Sequence, residues 1–212
     1  MWLCRRSNKT MSISRAKKIK VILFDVDGVL TDGTIWLFPA PNSGPRTTDA
    51  HAQQHAGSAG YGIISQTMIE AKGFNAHDGT AITLAHLGGL KAGIVTKRIS
   101  ETVALRARDL KLDYVFQGAE KKSDVLDKIL TESGVSEKEV CYVGDDVIDL
   151  PVMRRCGLAI AVANARPQVL KIAHYTTPSR GGDGAARDAV EYVLKAQGKL
   201  DKVIEEYISS RT

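Results

Sequence analysis

The sequence predicts an α/β fold, a Rossmann-like doubly wound parallel sheet with helices on both faces. Two observations carry this prediction. From Asp78 onward, short apolar runs alternate with segments of helical periodicity, which is typical of consecutive βα units. Near the start of the chain, the apolar run 21–24 lies between basic residues and an Asp/Gly turn, as expected for a fully buried strand. At 212 residues the chain is long enough for one domain with its own core.

Composition and charge favour a globular domain without nucleic-acid or membrane partners. The formal net charge of +5 comes largely from residues 1–20, and the remainder is nearly balanced, so we expect no nucleic-acid partner. No apolar run is long enough to span a bilayer, so we expect no membrane association. Cys4, Cys141 and Cys156 lack a metal-like spacing, and two of them lie in apolar segments. Free thiols and the lack of an apolar signal sequence predict a cytoplasmic location.

We expect one folded domain at residues 19–199, preceded by a disordered basic segment at 1–18 and followed by a tail at 200–212. Within the domain, residues 34–74 are predicted to form a β-hairpin whose strands are separated by an inserted loop at 39–66. This loop is rich in Pro, Gly, Ser, Ala and His and has no clear periodicity. It is therefore predicted to protrude from the surface.

Ordinary helix signals bound several of the remaining elements. Ser100 is expected to cap one helix, Gly134 to end another, and Pro167 to begin a third. The predicted elements, in chain order, are helix 81–90, strand 92–96, helix 100–110, strand 114–117, helix 123–133, strand 139–144, helix 147–156, strand 158–162, helix 167–173 and helix 185–197. In a parallel sheet of this kind the carboxyl ends of the strands meet at one edge, where ligands bind.

Polar side chains of a consistent kind follow four of the predicted strands. They are Asp25 and Asp27, Thr96, Lys121 and Lys122, and Asp145, Asp146 and Asp149. Each has an ordinary structural explanation, as a turn residue, a helix cap, a solvated charge or an acid in the first turn of a helix. However, Asp25 and Asp27 point the same way if the strand continues through them, and two like charges so close require a cation or a shared proton. Together, the set provides a hydroxyl, an ammonium group and at least three carboxylates, which suits phosphoryl transfer.

Transfer of a phosphoryl group from a monoester needs each of these groups. Carboxylates repel a phosphate unless a hard divalent cation bridges them, and Mg²⁺ prefers carboxylate and phosphate oxygens. Asp25 and Asp145 are the expected Mg²⁺ ligands, together with the backbone carbonyl of Asp27. One carboxylate can attack phosphorus to give an aspartyl-phosphate, while Asp27 protonates the leaving oxygen and later activates water. Thr96 and Lys122 are expected to neutralise charge on the phosphoryl oxygens.

Four motifs resemble, in order and spacing, those of the haloacid dehalogenase-like phosphatases: DVDGVLTDG, IVTKR, the lysine of QGAEKK, and YVGDDVIDLPVM. FNAHDG, AVANARP and GGDGAARD further resemble the cap-less branch of the 3-deoxy-D-manno-octulosonate (KDO) 8-phosphate phosphatases. The resemblance covers residues 20–199 apart from the insertion at 39–66. It implies a Rossmann-like core and a homotetramer in which the hairpins of four subunits form a barrel. That barrel takes the place of a cap domain over active sites that lie between subunits.

The resemblance also implies residue roles. Asp25 corresponds to the nucleophile and Asp27 to the general acid and base, while Mg²⁺ is bound by Asp25, Asp27 and Asp145. Thr96 and Lys122 correspond to the residues that hold the phosphate. The residues that match substrate-contacting positions are Asn75, Asp78, Gly79, Arg98, Arg106 and Lys122.

The implied substrate is a small-molecule sugar phosphate, a 2-keto-3-deoxy sugar acid phosphate, with KDO 8-phosphate of lipopolysaccharide precursor synthesis as the first candidate. Three positions depart from the family pattern: Lys97 replaces a usual Gly, Thr83 a usual Arg, and His77 another basic residue. A phosphatase for a nonulosonate 9-phosphate, or one of broad sugar-phosphate scope, therefore stays open. An alternative of another class is a catalytically weak oligomerisation partner of a nucleotidyltransferase.

Overall fold

A six-stranded parallel sheet forms the centre of the structure, a computed structural model that describes residues 10–40, 53–54, 63–64 and 68–209. In chain order the strands are β1 (Val21–Phe24), β2 (Trp36–Pro39), β3 (Gln53–Gln54), β4 (Ile63–Ile64), β5 (Met68–Ala71), β6 (Lys91–Val95), β7 (Tyr114–Phe116), β8 (Val140–Gly144), β9 (Leu158–Ala161) and β10 (Tyr175–Thr176). The large sheet has the order β10-β9-β8-β1-β6-β7, with every pair parallel.

Helices flank this sheet and alternate with its strands along the chain. They are α1 (10–16), α2 (Ala76–Leu87), α3 (Glu101–Asp109), α4 (Lys122–Ser133), α5 (Leu150–Met153), α6 (Pro167–Ile172), α7 (Ala185–Ala196) and α8 (Leu200–Ser209). All four residues of the central strand β1 are buried, as predicted from their apolar run. The alternation and the parallel pairing confirm the doubly wound α/β fold.

The register of the central strands fixes where the functional residues lie. Phe24, the last residue of β1, pairs with Ile94 of β6 on one side and with Val143 of β8 on the other. These three strands therefore end at nearly the same level. The residues that follow them meet at one edge of the sheet, which is the edge the sequence predicts for the site.

The disorder expected over residues 1–18 is wrong for α1. The Ser12 hydroxyl shares a hydrogen bond of 2.6 Å with the hydroxyl of Tyr192, and the Arg15 guanidinium donates to the carbonyl of Gly157 at 2.7 Å. These contacts attach the helix to distant parts of the domain. Basic composition suggested disorder, but the short apolar face of this helix is enough to hold it against the core.

Two other predicted boundaries are also wrong. The tail expected at 200–212 contains helix α8, whose Val203 is buried and whose apolar residues recur at helical spacing. Helix α2 begins at Ala76, five residues earlier than expected, because the Asn75 side chain caps it by accepting the backbone N–H of His77 at 2.8 Å. Strand β10 was not predicted, since two residues are too few to show a pattern.

A β-hairpin leaves the edge of the domain after β1, as predicted. Strands β2 and β5 pair antiparallel, with Trp36 opposite Ala71. The inserted loop predicted at 39–66 falls largely outside the described residues, but β3 and β4 pair antiparallel within it, which was not expected. The hairpin exposes several large apolar side chains, among them Trp36 at 57 % and Ile69 at 47 %. In a single subunit this surface is open to solvent.

No helix within the described ranges is long and apolar enough to cross a membrane. Cys141 and Cys156 are both buried free thiols, as their apolar surroundings predicted. The cytoplasmic location stays a prediction.

Candidate active site

The buried carboxylate of Asp25 lies directly after β1 at the carboxyl edge of the sheet. Its backbone N–H donates to the carbonyl of Val143 at 3.0 Å, which continues the ladder to β8. Its Oδ1 atom accepts the N–H of Val26 at 2.6 Å, and its Oδ2 atom lies 2.7 Å from the ammonium of Lys122. The Asp25 residue is only 3 % exposed. The strand and the ion pair together hold this carboxylate in one orientation.

Lys122 contacts two carboxylates with its ammonium group, those of Asp25 and Asp149. It is the first residue of α4, and its ammonium also lies 2.8 Å from Oδ1 of Asp149 and 3.1 Å from the hydroxyl of Tyr142. The Tyr142 hydroxyl in turn donates to the same Asp149 oxygen at 2.9 Å. Burial alone would lower the pKa of Lys122, but the charges of Asp25 and Asp149 outweigh burial and raise it. The lysine is therefore a fixed cation inside the site.

Asp145 and Asp149 belong to one turn but differ in whether their carboxylate oxygens already accept hydrogen bonds. Oδ2 of Asp149 accepts the backbone N–H groups of Asp145 at 2.9 Å and of Asp146 at 3.3 Å, while its Oδ1 is occupied by Lys122 and Tyr142. The Oδ1 atom of Asp145 is buried and has no hydrogen-bond partner among the described residues. Asp149 thus orients the turn, whereas Asp145 has an oxygen available for a ligand.

A close backbone approach places Asp145 against the loop that follows Asp25. A side chain at Gly28 would put its Cβ atom 2.3 Å from Oδ2 of Asp145, and the φ angle of +91° at this residue is one that glycine tolerates best. Glycine in the DxDG motif is therefore required for the two acidic loops to meet. Oxygens of Asp25, Asp145 and Asp149 all lie within 4.8 Å of one another.

The charges of this buried cluster, which consists of Asp25, Asp145, Asp149 and Lys122, are unbalanced. Burial raises the pKa of Asp25 to about 7, with Lys122 opposing and Asp149 adding to the rise. Burial, followed by the charges of Asp149 and Asp146, also raises the pKa of Asp145 to about 7. Three carboxylates facing one ammonium group call for a further cation. Hard oxygen donors and the unpartnered oxygen of Asp145 fit Mg²⁺.

A second cluster lies on the hairpin side of the site and contains Asp27, Glu70, Lys72 and Arg98. The Lys72 ammonium is hydrogen-bonded to Oδ1 of Asp27, and Nε of Arg98 lies 3.8 Å from Oδ2 of Asp27. Nη2 of Arg98 also donates to Glu70 at 3.4 Å. The sequence analysis did not single out Glu70 and Lys72. Their i, i+2 spacing on β5 was the available signal, because it places both side chains on one face of the strand.

Thr96 lies at the same edge, directly after β6, and is 2 % exposed. Its N–H donates to the carbonyl of Phe116 at 2.9 Å, and its hydroxyl accepts the N–H of Arg98 at 3.4 Å. The loop after the strand is therefore tight. The hydroxyl therefore lies just beyond the end of the strand adjacent to β1, and its role in binding phosphate stays a prediction.

The other predicted substrate residues surround the start of α2. Oδ1 of Asp78 accepts the backbone N–H of Arg187 at 2.9 Å, so this buried carboxylate caps the N-terminus of α7. Burial raises its pKa, and the α7 N–H groups oppose the rise. Arg106 pairs with Asp109 at 2.6 Å and fills the space beside Gly79, where a Cβ atom would lie 2.5 Å from its Nη2 atom. Asp78 therefore has a structural role, which the prediction of a substrate contact did not include.

Asn75, which is predicted to contact the substrate, also has a structural role. Besides capping α2, its amide donates to the carbonyl of Gly182 at 3.5 Å. The loop containing Gly181 and Gly182 approaches the backbone after β1 so closely that a Cβ atom at Gly181 would lie 1.7 Å from the carbonyl oxygen of Gly28. The FNAHDG and GGDGAARD motifs are thus neighbours of the DxDG loop.

Of two cavities in the described part of the chain, the smaller adjoins the site and the larger does not. A cavity of about 200 Å³ is lined by Lys97, Lys122 and Ile148, and it adjoins the site through Lys122. A larger one of about 990 Å³ lies around the residues that precede β1, at the other end of that strand. Its charged groups are partly paired with each other, as Lys20 is with Glu139 at 2.7 Å. The larger cavity therefore lies away from the carboxylates at the carboxyl edge of the sheet.

Comparisons with known proteins agree with this geometry. A family model described as haloacid dehalogenase-like hydrolase matches residues 85–187. The 3-deoxy-D-manno-octulosonate 8-phosphate phosphatase KdsC of Escherichia coli K12 is 34 % identical over 190 residues, which cover 90 % of this chain and 87 % of the relative.

Two solved structures extend the likeness to three dimensions. A probable YrbI family phosphatase from Pseudomonas syringae has a TM-score of 0.77 and 38 % identity, covering 94 % of this chain and 98 % of that one. The KDO 8-phosphate phosphatase of Moraxella catarrhalis, in complex with magnesium, phosphate and KDO, has a TM-score of 0.74 and 30 % identity, covering 92 % and 97 %. The chain belongs to the haloacid dehalogenase-like hydrolases and, within them, to the phosphatase branch that contains these relatives.

Proposed function

We propose that this protein is a Mg²⁺-dependent phosphatase that hydrolyses KDO 8-phosphate to KDO and phosphate through an aspartyl-phosphate on Asp25. The observation that carries the proposal is the buried cluster, in which three carboxylates face a single ammonium group at the carboxyl edge of the sheet. The choice of substrate rests on curated relatives that align with 90 % and 94 % of this chain at 34 % and 33 % identity.

Asp25, Asp145 and the backbone carbonyl of Asp27 are the groups that would hold Mg²⁺. When bound, the cation offsets the charge of the carboxylates and of the phosphate. Asp149 is not assigned as a ligand, because both of its oxygens already accept hydrogen bonds within the fold. Its role is to orient Lys122 and the Asp145 turn.

The chemistry then proceeds in two displacements by this chain's own residues. A carboxylate oxygen of Asp25 attacks phosphorus, and the bond between phosphorus and the sugar oxygen breaks as Asp27 donates a proton to that oxygen. Water next attacks the aspartyl-phosphate and gives its proton to the Asp27 carboxylate, which frees Asp25 and phosphate. Lys122 and the Thr96 hydroxyl stabilise the charge on the phosphoryl oxygens during both steps.

Arg98 is the proposed partner for the carboxylate of the sugar acid. Its Nε atom is buried without a hydrogen-bond partner among the described residues, while Nη2 contacts Glu70. A substrate carboxylate that binds Arg98 must compete with Glu70 or use the guanidinium edge that Glu70 leaves open. A fork of several donors can serve two carboxylates at once.

The active assembly is proposed to be a homotetramer. Trp36, Phe38 and Ile69 are exposed on one face of the hairpin, where Trp36 stacks on Phe38 and Ile69 lies opposite Phe38. A lone subunit seldom exposes several large apolar side chains together. Burying this surface between subunits would also cover a site over which the described residues form no cap domain. Light scattering should give four subunits, and Trp36→Asp should shift the protein towards smaller species.

Phosphate release from a panel of substrates tests the proposed function. With Mg²⁺, KDO 8-phosphate should give a higher kcat/KM than N-acetylneuraminate 9-phosphate or p-nitrophenyl phosphate, and a chelator should abolish all three activities. Arg98→Ala should raise KM for KDO 8-phosphate about 10- to 100-fold, as expected for the loss of a charge-assisted hydrogen bond. The KM for p-nitrophenyl phosphate should stay nearly unchanged. Equal rates across the panel would instead indicate broad scope.

A further inference from the structure

The Lys72 side chain is completely buried, and its ammonium lies against the proposed acid and base. Its exposed fraction is 0 %, its Nζ atom is hydrogen-bonded to Oδ1 of Asp27, and Oε1 of Glu70 lies 3.9 Å away. Lysine is rarely buried to this extent unless it is paired, because removing an ammonium group from water is costly. The contact with Asp27 is therefore a built feature of the site and not a surface ion pair.

Lys72 and Arg98 contact different oxygens of the Asp27 carboxylate. Oδ1 faces the lysine and Oδ2 lies 3.8 Å from Nε of Arg98. Two cations on two oxygens restrict rotation of the carboxylate about its terminal bond. The Asp27 side chain nevertheless stays 22 % exposed, which leaves it accessible to a reacting group.

Glu70 fixes the strand that carries Lys72. Its Oε1 atom accepts the Ser100 hydroxyl at 2.6 Å, its Oε2 atom accepts Nη2 of Arg98, and its backbone carbonyl accepts the Thr102 hydroxyl at 3.2 Å. These contacts tie β5 to the start of α3. Because Lys72 follows two residues later, its ammonium is positioned by the hairpin strand and by the loop after β6 together.

We propose that Lys72 is a positioning residue that holds the Asp27 carboxylate in line with the leaving oxygen, so that the hairpin is part of the proton-transfer machinery. The inference rests on the proposed role of Asp27. Proton transfer in the transition state depends strongly on placement, and a misplacement of about 1 Å can reduce the rate about 100-fold. Lys72 does not touch the reacting atoms in this proposal.

A comparison of leaving groups tests the proposal. A sugar oxygen needs a proton in order to leave, whereas p-nitrophenolate leaves without one. Lys72→Met should therefore lower kcat/KM for a sugar phosphate by about 10- to 100-fold and for p-nitrophenyl phosphate by less than about 3-fold. The ratio kcat/KM is used because it reports the steps up to release of the alcohol and excludes hydrolysis of the phosphorylated enzyme.

The double variant provides an independent readout. In an Asp27→Asn background the first turnover is measured, because this variant stalls as the phosphorylated enzyme. Lys72→Met should cause no further loss in that single-turnover rate with the sugar phosphate, because the group it positions is already absent. Lys72→Gln is measured in parallel, so that poor folding of one variant does not decide the outcome. Lys20→Met removes a lysine–carboxylate pair that is more exposed and lies at the other end of β1, and it should leave both substrates unaffected.

Equal losses on both substrates, no loss on either, or additive losses in the Asp27→Asn background would overturn the proposal. Its failure is distinguishable from failure of the proposed function, because any sugar phosphate that the wild-type enzyme turns over can serve in the comparison. A wild-type enzyme that ignores KDO 8-phosphate contradicts the substrate assignment but leaves the role of Lys72 open to the same test.

Discussion

The two charged clusters around the Asp25–Asp27 loop differ in the ratio of negative to positive side chains. In the buried cluster three carboxylates face one ammonium group, and burial raises the pKa of both Asp25 and Asp145 to about 7. In the hairpin cluster two carboxylates, Asp27 and Glu70, face the two cations Lys72 and Arg98. The excess negative charge of the buried cluster suits a divalent cation, whereas the balanced charges of the hairpin cluster suit orientation of its members. We therefore propose that metal binding and placement of the acid are separate tasks of these two neighbouring regions.

The largest expected effect comes from the buried cluster. Asp25→Asn should lower kcat at least about 1000-fold, equal to about 4 kcal/mol, because an amide is a poor nucleophile. The folded state should persist, which circular dichroism checks alongside phosphate release. Activity within about tenfold of wild type would exclude Asp25 as the attacking group.

Metal affinity should separate the two clusters. Asp145→Asn should weaken Mg²⁺ binding by about 100-fold or more, because it removes an oxygen that has no hydrogen-bond partner in the described part of the chain. Asp27→Asn should keep near-normal affinity, since only its backbone carbonyl is an expected ligand. Isothermal titration with Mg²⁺ compares the variants. Equal losses would show that the proposed division of roles is wrong.

The metal-free protein should lose stability as pH rises. Asp25 and Asp145 have pKa values raised from 3.8 to about 7, so the native state binds more protons than the unfolded state between these values. The free energy of unfolding should therefore fall as pH rises through this window and level off above it. Urea denaturation measures the effect, and saturating Mg²⁺ should remove it.

Asp145→Asn is the matched control for that pH series. It lacks one of the two titrating carboxyls, so its stability should fall less steeply than that of the wild type over the same window. Parallel curves for the two proteins would mean that the Asp145 carboxyl titrates normally in the folded state. Groups elsewhere in the chain affect both proteins alike and cancel in the difference.

The smallest expected effect concerns a carboxylate outside both clusters. Asp78→Ala should lower the free energy of unfolding by about 1–2 kcal/mol, because the N-terminus of α7 loses its cap. Asp78→Asn keeps an acceptor and should restore most of that stability. Thermal unfolding checks both variants. A selective rise in KM for the sugar phosphate with normal stability would instead show that Asp78 contacts the substrate directly.

The buried cluster and the sheet were open to prediction from the sequence for the same physical reason. Asp25, Thr96 and Asp145 each follow an apolar run directly, and parallel strands bring their carboxyl ends to one edge. The position of Lys122 was harder to predict, because a loop separates this residue from the end of β7. Local pattern was therefore enough to gather these groups, although their roles remain proposals.

The hairpin cluster could not be predicted from the sequence, because only tertiary contacts bring its residues together. Glu70 and Lys72 lie after a long insertion, and no local pattern shows that their strand meets the loop after β6 or the start of α3. The cap that Asp78 provides joins helices more than a hundred residues apart. Helix α1 was missed because its apolar face is short and gains stability only by packing. Helix α8 did carry a local signal, since Leu200, Val203, Ile204, Tyr207 and Ile208 recur at helical spacing.

Trapping the phosphorylated enzyme tests the central claim most directly, because it needs both clusters to act as proposed. Asp27→Asn with Mg²⁺ and p-nitrophenyl phosphate should release a burst of p-nitrophenolate and then stall, since water is no longer activated. Acid quenching followed by peptide mass spectrometry should find one phosphoryl group on Asp25. A phosphoryl group on another residue, or steady turnover without any phosphorylated enzyme, would contradict the mechanism.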